Sequence, residues 1–447
     1  MNAARWIGPV AMVLCMAMLC GVGRAADAPP RPALYAVYAW PADVPRYADD
    51  IVGVGFKWIR CGGWSRDREA TERAVALAAQ RRLHLVPVLA AGGMSHGETR
   101  PIEEAEAAMA EVARQNVLRY GPDGSFWKEH PDLTPNPIRH WEIWNEPNIE
   151  FLTPPDESVL RTDLYARLLT AASREIRRLD PGATILAFNT AGGIPDHGQA
   201  LKADGMFQRL KYIGWRKFIR DVAAQVDPDA YDAIGTHPYT RPRGPEAGGI
   251  LGGLEMIDEL GLNKPVWFTE VGFPLEYPRN RQVRDDDQQA AYLVRLFAVA
   301  GANEVVQVQV MYLIDIIYGP DQTRRSFGLF PEPGTWRKQA TATEVMIDLV
   351  PDPRRDARIL SQMPGGLFAY RFAGPDGSPV IMAWNAADTA DRVSFTLAGE
   401  QFTRVDMLGT VEPLRVREGA VEVAVGEAPV YIVARPADVV AEWVEDR

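Results

Sequence analysis

The chain has 447 residues, 47% hydrophobic and 24% charged, the balance of two or three packed domains, which excludes a mainly disordered chain. Its 59 acidic residues outnumber 48 basic ones, giving a net charge of −11, and no long Lys/Arg run offsets them. Nucleic acid and anionic membrane surfaces are therefore poor partners, and so is a strongly anionic polymer unless the binding cleft is locally basic.

In chain order, the N-terminus reads as an export signal. Arg5 precedes an apolar stretch from Trp6 to Val22, and Gly23-Arg24-Ala25 ends on a small residue before a Pro-rich start. The apolar run of about 17 residues lies at the lower edge of what spans a bilayer, so an uncleaved membrane anchor is the alternative. The expected location is periplasmic or extracellular, or at the inner membrane if residues 1–25 are retained. Cys15 and Cys20 fall inside this segment and each follows a Leu, a poor lipidation context. Cys61 is then the one cysteine left, and no intrachain disulfide is expected.

Short apolar runs then alternate with helical patterns. Strands are predicted over 34–40, 56–60, 84–90, 141–144, 184–189, 233–237, 266–270 and 306–314. Helices are predicted over 44–53, 68–82, 103–120, 160–179, 207–225, 253–260, 287–301 and 336–349. A long insertion containing Tyr120-Gly121-Pro122-Asp123-Gly124-Ser125-Phe126-Trp127 precedes the fourth strand. Eight such units over about 320 residues fit a (β/α)8 barrel. Past Pro351-Asp352-Pro353 the runs shorten and turn β-rich, over 368–372, 380–384, 393–397, 421–425 and 430–433. The expected fold class is α/β: a (β/α)8 TIM barrel over 27–350, a small antiparallel β-sandwich over 354–436, and a tail over 437–447 that is mobile or a short helix. The sandwich reads as a brace for the barrel, with a separate carbohydrate-binding role as the alternative.

In such a barrel the reactive groups sit at the C-terminal ends of the strands. The fourth strand ends in Trp144-Asn145-Glu146-Pro147-Asn148 and the seventh in Phe268-Thr269-Glu270-Val271-Gly272. Glu146 and Glu270 would face one another across the mouth, and a pair of carboxylates is what glycosidic cleavage requires. One protonates the leaving oxygen, and the other attacks the anomeric carbon or activates water. A solvated or ion-paired side chain is the bland alternative for either.

These two strands resemble the signature strands of clan A retaining glycoside hydrolases. The 120–127 segment and the sandwich ending in Pro429-Val430-Tyr431-Ile432 are most similar to family 39. The resemblance implies that Glu146 is the acid/base and Glu270 the nucleophile. It implies that Arg60, ending the second strand, hydrogen-bonds the nucleophile, and that Asn145 holds the sugar 2-hydroxyl. In Thr236-His237-Pro238-Tyr239 it implies that Tyr239 donates to the nucleophile and His237 orients the site. Tyr312 stands where many relatives place a Trp under the sugar. Trp40, Trp64 and Trp127 are candidates for stacking on sugars or for packing. The layout resembles the secreted or anchored bacterial endoglycosidases of biofilm exopolysaccharide more than the xylosidases or iduronidases, which implies a polysaccharide or oligosaccharide substrate and endo-cleavage. A transglycosylase with the same carboxylates is one alternative. A non-catalytic glycan-binding or assembly protein of an exopolysaccharide export system is the other, with the export machinery as partner.

Other residues are set aside. Glu142 lies four residues before Glu146, about 13 Å down the strand, too far to share the mouth. Glu276 follows the seventh strand as a rim or solvated residue. His96 reads as a loop residue, and Cys61 as a small buried apolar one. Gly248-Gly249-Ile250-Leu251-Gly252-Gly253 lacks the Lys of a phosphate loop. There is no His-Glu-x-x-His, Cys-x-x-Cys or Gly-x-Ser-x-Gly, so no metal or cofactor is expected.

Overall fold

The computed structural model describes residues 31–445, apart from 65, 92–100, 150–161, 193–212, 240–243, 247–249, 276–282, 319–322, 364–365, 388–390, 397–400 and 418–419. The leader, His96, Glu276 and part of the 248–253 stretch lie outside the described residues. Eight parallel strands close into a barrel in chain order. They are β1 Tyr35–Ala39, β2 Trp58–Cys61, β3 His84–Leu89, β4 His140–Ile143, β5 Thr184–Ala191, β6 Ala233–His237, β7 Val266–Val271 and β8 Gln307–Val310. Pairing of Tyr35 with Val308 closes the ring. Outside run α1 Ala48–Val54, α2 Arg68–Arg81, α3 Ile102–Tyr120, α4 Ser125–Glu129, α5 Thr162–Leu179, α6 Trp215–Ala223, α7 Ile250–Glu259, α8 Asp286–Ala302 and α9 Lys338–Leu349. Among the described residues no helix is long and apolar enough to cross a membrane.

Local chemistry sets these elements. The Asp67 side chain caps α2 by accepting from the Ala70 amide, and Ala70, Ala74 and Ala78 line the buried face at helical spacing. Asp285 caps α8 in the same way through the Gln288 amide. Inside the barrel, Ala36, Trp58, Val86, Leu186, Ala233 and Trp267 form an apolar plug toward the strand starts. Above that plug the buried interior turns polar, with Arg60, Glu142, Asn189 and Thr269. This division puts the chemistry at the strand ends.

The structure departs from the sequence reading at several boundaries. The first helix begins at Ala48 rather than 44, because Asp43 and Val44 donate back to the Trp40 carbonyl in a turn. Ser125–Glu129 is a short helix inside the insertion. The helix α6 starts at Trp215, after Gly214, and the predicted start at 207 lies outside the described residues. The eighth strand stops at Val310. The chain then forms a hairpin, β9 Ile316–Tyr318 with β10 Thr323–Arg325.

The C-terminal part is two antiparallel sheets. One has six strands, β11 Arg358–Gln362, β12 Leu367–Ala373, β13 Pro379–Asn385, β19 Val430–Val433, β15 Phe402–Asp406 and β16 Val411–Leu414; the other has β14 Asp391–Thr396, β18 Ala420–Val425 and β17 Val416–Arg417. Strands β11, β15, β16 and β17 were not anticipated. Arg358, Ile359 and Leu360 of β11 are exposed at the sheet edge, so β11 lacks the alternation that marks a half-buried strand. The tail forms α10 Ala437–Glu445, anchored by the fully buried Val440.

The large sheet has two apolar faces. One packs Ala369, Ile381, Ala383 and Ile432 against Val421, Val423 and Val425 of the small sheet. The other sends Phe368, Tyr370, Trp384 and Tyr431 into the same core as the barrel helices. At this junction the buried Glu246 binds Arg295 of α8 through both oxygens, at 2.5 and 2.6 Å. Trp384 Nε1 donates to the same carboxylate at 2.7 Å. Truncating one partner of a buried ion pair strands the other charge and costs about 3–5 kcal/mol. Glu246→Ala is expected to lower the free energy of unfolding by that amount, read as a lower urea midpoint. Trp384→Phe, which keeps one aromatic ring and loses the indole N–H donor to a charged group, should lose about 1.5–3 kcal/mol.

Candidate active site

The centre of the barrel mouth is a buried guanidinium. Arg60, at the end of β2, is fully buried. Its Nε and one terminal nitrogen bind the two oxygens of Glu142 on β4, at 2.8 and 2.5 Å. The same nitrogen donates to Asn145 Oδ1 at 2.7 Å, and the other terminal nitrogen donates to Glu270 Oε2 at 2.9 Å. The guanidinium carbon lies 4.7 Å from the Tyr38 ring centroid. Gly62 is required beside it, because a Cβ there would sit 1.7 Å from the Tyr38 hydroxyl.

Glu270 comes from β7 and is held on both oxygens. Tyr239, two residues past β6, donates to Oε1 at 2.8 Å, while Arg60 occupies Oε2. Burial, reinforced by the Glu270 charge, drives the Tyr239 phenol far above its usual range, so it stays a donor.

Glu146 sits opposite because of an unusual backbone. Trp144 and Glu146 both lie in the left-handed region, at φ 66° and 48°. Alternation along β4 is broken there, and Asn145 and Glu146 both reach the mouth. The turn is held by the Trp144 amide on the Leu89 carbonyl, at 2.9 Å, and the Glu146 amide on the Asn189 carbonyl, at 3.0 Å. The Asn189 side chain donates to the carbonyls of Ile143 and Trp144, at 3.1 and 3.3 Å. Gly235 makes room for it, since a Cβ there would lie 1.8 Å from Asn189 Oδ1. The Asn148 side chain accepts from the Ala191 amide and donates to the carbonyls of Ala191 and Ile213, closing the turn from the far side.

The two carboxyls have unlike environments. Burial pushes Glu146 up to about 7, partly offset by Arg60. His237 Nδ1 lies 2.9 Å from Glu146 Oε1 and 4.0 Å from Glu270 Oε1. Burial drives His237 down to about 3, against Glu270 and with Arg60, so the ring is neutral. Its Nε2 is buried with no partner among the described residues. The tautomer protonated at Nδ1 leaves an unused acceptor there rather than an orphaned N–H, so Nδ1 donates to Glu146.

The remaining candidates sort clearly. Trp40 is 37% exposed at the end of β1, with Arg66 5.6 Å from its ring and Tyr38 edge-on at 6.5 Å. Tyr312 is buried, its ring 4.6 Å from Tyr38 and within a cluster that includes Phe327; it packs against Tyr38. The Met311–Tyr312 peptide is cis. Trp64 and Trp127 are buried and bonded inward, to Asn116 Oδ1 and to the carbonyls of Tyr120 and Gly121, so they pack rather than stack on ligand. Cys61 is buried and its thiol is pushed up by that burial. Glu142 does not reach the mouth, but it is tied to the site through Arg60. Sequence reasoning overlooked that tie, as it did Asn189. A lone Glu in the apolar strand Trp141-Glu142-Ile143-Trp144 was the available signal for the first.

Glu146, His237 and Glu270 each place a ligand atom within 4.8 Å of the others. That is a conceivable metal seat. However, Arg60 and Tyr239 occupy both oxygens of Glu270, and a fixed cation 2.9 Å away opposes a second one. The donors fit a reaction between two carboxyls instead.

No protein-family model matches the sequence, and no curated protein matches it. The fold is similar to several solved structures. One is a family 39 glycoside hydrolase from Bacteroides cellulosilyticus, with TM-score 0.64 and 19% identity over 91% of this chain and 81% of that one. A glucosidase from Croceicoccus marinus gives 0.58 and 15%, over 91% and 97%. A monomeric β-xylosidase from Caulobacter crescentus gives 0.58 and 14%, over 93% and 98%. At these identities the likeness establishes the fold, a TIM barrel carrying a β-sandwich.

Folding is coupled to the Glu146 proton. Its carboxyl moves from 4.5 to about 7 on burial. The native state therefore holds the proton more tightly. The stability linked to it is complete below the lower value and is lost as pH rises through the upper one, on the order of 3 kcal/mol. Glu146→Gln removes this linkage. In thermal unfolding followed across pH, the variant's advantage over the parent should grow from mildly acidic to mildly alkaline conditions.

Proposed function

We propose that this protein is a retaining β-glycoside hydrolase acting on a polysaccharide or oligosaccharide. One observation carries the reading: an oxygen of Glu146 and one of Glu270 lie within 4.8 Å across the barrel mouth. Retaining enzymes keep their carboxyl groups about 5–5.5 Å apart, whereas inverting ones need roughly 6.5–9.5 Å to admit a water.

Glu146, protonated near neutrality, donates its proton to the glycosidic oxygen as the bond to the anomeric carbon breaks. Glu270 attacks that carbon from the other face and forms a glycosyl ester. Its negative charge is then gone, and the field of Arg60 on Glu146 is less opposed. The Glu146 carboxyl falls and can take a proton from the water that cleaves the ester. His237 holds Glu146 in place. Asn145, whose Oδ1 is taken by Arg60, presents its amide N–H2 to a sugar hydroxyl.

The finer reading is endo-cleavage of a bacterial exopolysaccharide outside the cytoplasm. It is supported by the exposed Trp40 beside the site, which suits a further sugar ring, and by the export-like residues 1–25. In that reading the export machinery is the neighbouring partner.

The test compares the parent with Glu146→Gln and Glu270→Gln on p-nitrophenyl β-D-xyloside and β-D-glucoside and on β-linked polysaccharides. Reducing ends should appear with the parent and vanish with Glu270→Gln. Glu146→Gln should lose about 10²–10⁴ in kcat on polysaccharide and less on the aryl glycosides, whose leaving groups need no proton. For the parent, kcat/KM should fall as pH rises through about 7, where Glu146 loses its proton. Glycan binding without cleavage by any of the three proteins would replace this reading with a binding role.

A further inference from the structure

Glu142 is fully buried and makes no contact with the mouth, yet it holds more of Arg60 than Glu270 does. Its two oxygens take Nε and one terminal nitrogen in a two-pronged pair, and Asn145 takes that nitrogen's other hydrogen. One terminal nitrogen remains, and it donates to Glu270 Oε2. Without Glu142, the planar fork is free to turn and clamp Glu270 on two oxygens, the geometry arginine prefers with carboxylates. Charge runs the same way. Arg60, Glu142 and Glu270 sum to one negative charge, while Arg60 and Glu270 alone would sum to none.

We propose that Glu142 is the positioning residue for the nucleophile: it fixes the Arg60 plane so that Glu270 receives a single N–H, and it shares the Arg60 charge so that the Glu270 carboxylate stays electron-rich. The proposal rests on the hydrolase reading only in giving Glu270 the nucleophile's task. The other groups facing Glu270 are Tyr239 at 2.8 Å, His237 at 4.0 Å and Glu146 within 4.8 Å. The charge of Glu270 is also felt by Tyr38 and Tyr312. Of these, His237 is neutral and the tyrosines are protonated, so Arg60 carries a fixed charge and Glu142 and Glu146 the variable charge around the nucleophile. Glu142 and Glu270 sense each other, since Glu270 adds to the upward push that burial exerts on Glu142.

The test is the protonation midpoint of Glu270, read without turnover. A water-soluble carbodiimide couples a glycine ester to protonated carboxyls, and peptide mass spectrometry reports the extent at Glu270 as a function of pH. In Glu142→Gln, which is isosteric and leaves Arg60 paired with Glu270, the midpoint should fall by about one pH unit. The acid limb of kcat/KM should move with it, and kcat should fall about ten- to a hundredfold with KM changed less. Glu142→Asp keeps the charge but draws it back by one methylene. Its midpoint should stay near the parent's while kcat falls, and it serves if the Gln variant does not fold. An unmoved midpoint in folded Glu142→Gln, or a midpoint in Glu142→Asp displaced as far as the Gln variant's is predicted to be, would overturn the proposal. If the parent hydrolyses nothing, the hydrolase reading falls, and the labelling still decides the role of Glu142.

Discussion

A cation buried without water is tolerated only when its donors are matched, and Arg60 sets that demand at the centre of this barrel. A lone buried charge costs several kcal/mol even after relaxation. The barrel answers with Glu142 from β4, Glu270 from β7, Asn145 beyond β4 and the ring of Tyr38 from β1. Four strands are thus tied at one point, and none of these contacts survives unless the sheet closes. The apolar plug below keeps water from reaching the cluster from the strand starts. The polar layer is in turn what distinguishes the upper half of the barrel from a purely packed core.

The same constraint separates two residues of one chemical type. Glu270 is met by Arg60 and a tyrosine hydroxyl, and its charge is accommodated. Glu146 is met by a neutral histidine and by burial, and its proton is retained. The difference arises in the backbone. Left-handed turns at Trp144 and Glu146 lift the second carboxyl out of the strand, and Asn189 with the space left by Gly235 makes those turns affordable. The sandwich contributes at a distance. It covers α8 and locks Arg295 to Glu246, so the outer wall behind β6 and β7 is fixed by a second buried ion pair.

Much of this was legible in the sequence where residue type and period agree. Eight apolar runs spaced by amphipathic helices led to the barrel. Carboxylates at the ends of two such runs led to the mouth, and the structure brings Arg60, Asn145, His237 and Tyr239 around them. What stayed hidden has physical reasons. The β9–β10 hairpin follows Met311-Tyr312-Leu313-Ile314, an apolar run that continues the period of β8 beyond where the strand ends. Strand β11 is exposed and lacks alternation. Glu142 was set aside by a correct distance argument, which missed that a side chain too deep for substrate can still act through a shared arginine. The cause of the high Glu146 value depends on three-dimensional burial and could not be read from neighbours in the chain.

The central claim is that the separation of Glu146 and Glu270 leaves no room for a water between carboxylate and sugar, so the reaction passes through an ester on Glu270. The most direct test follows the anomeric proton of the first product by NMR during hydrolysis of a β-linked substrate, before mutarotation. The account predicts that the β anomer appears first and the α anomer grows in later. Initial release of the α anomer would mean inversion and would contradict it.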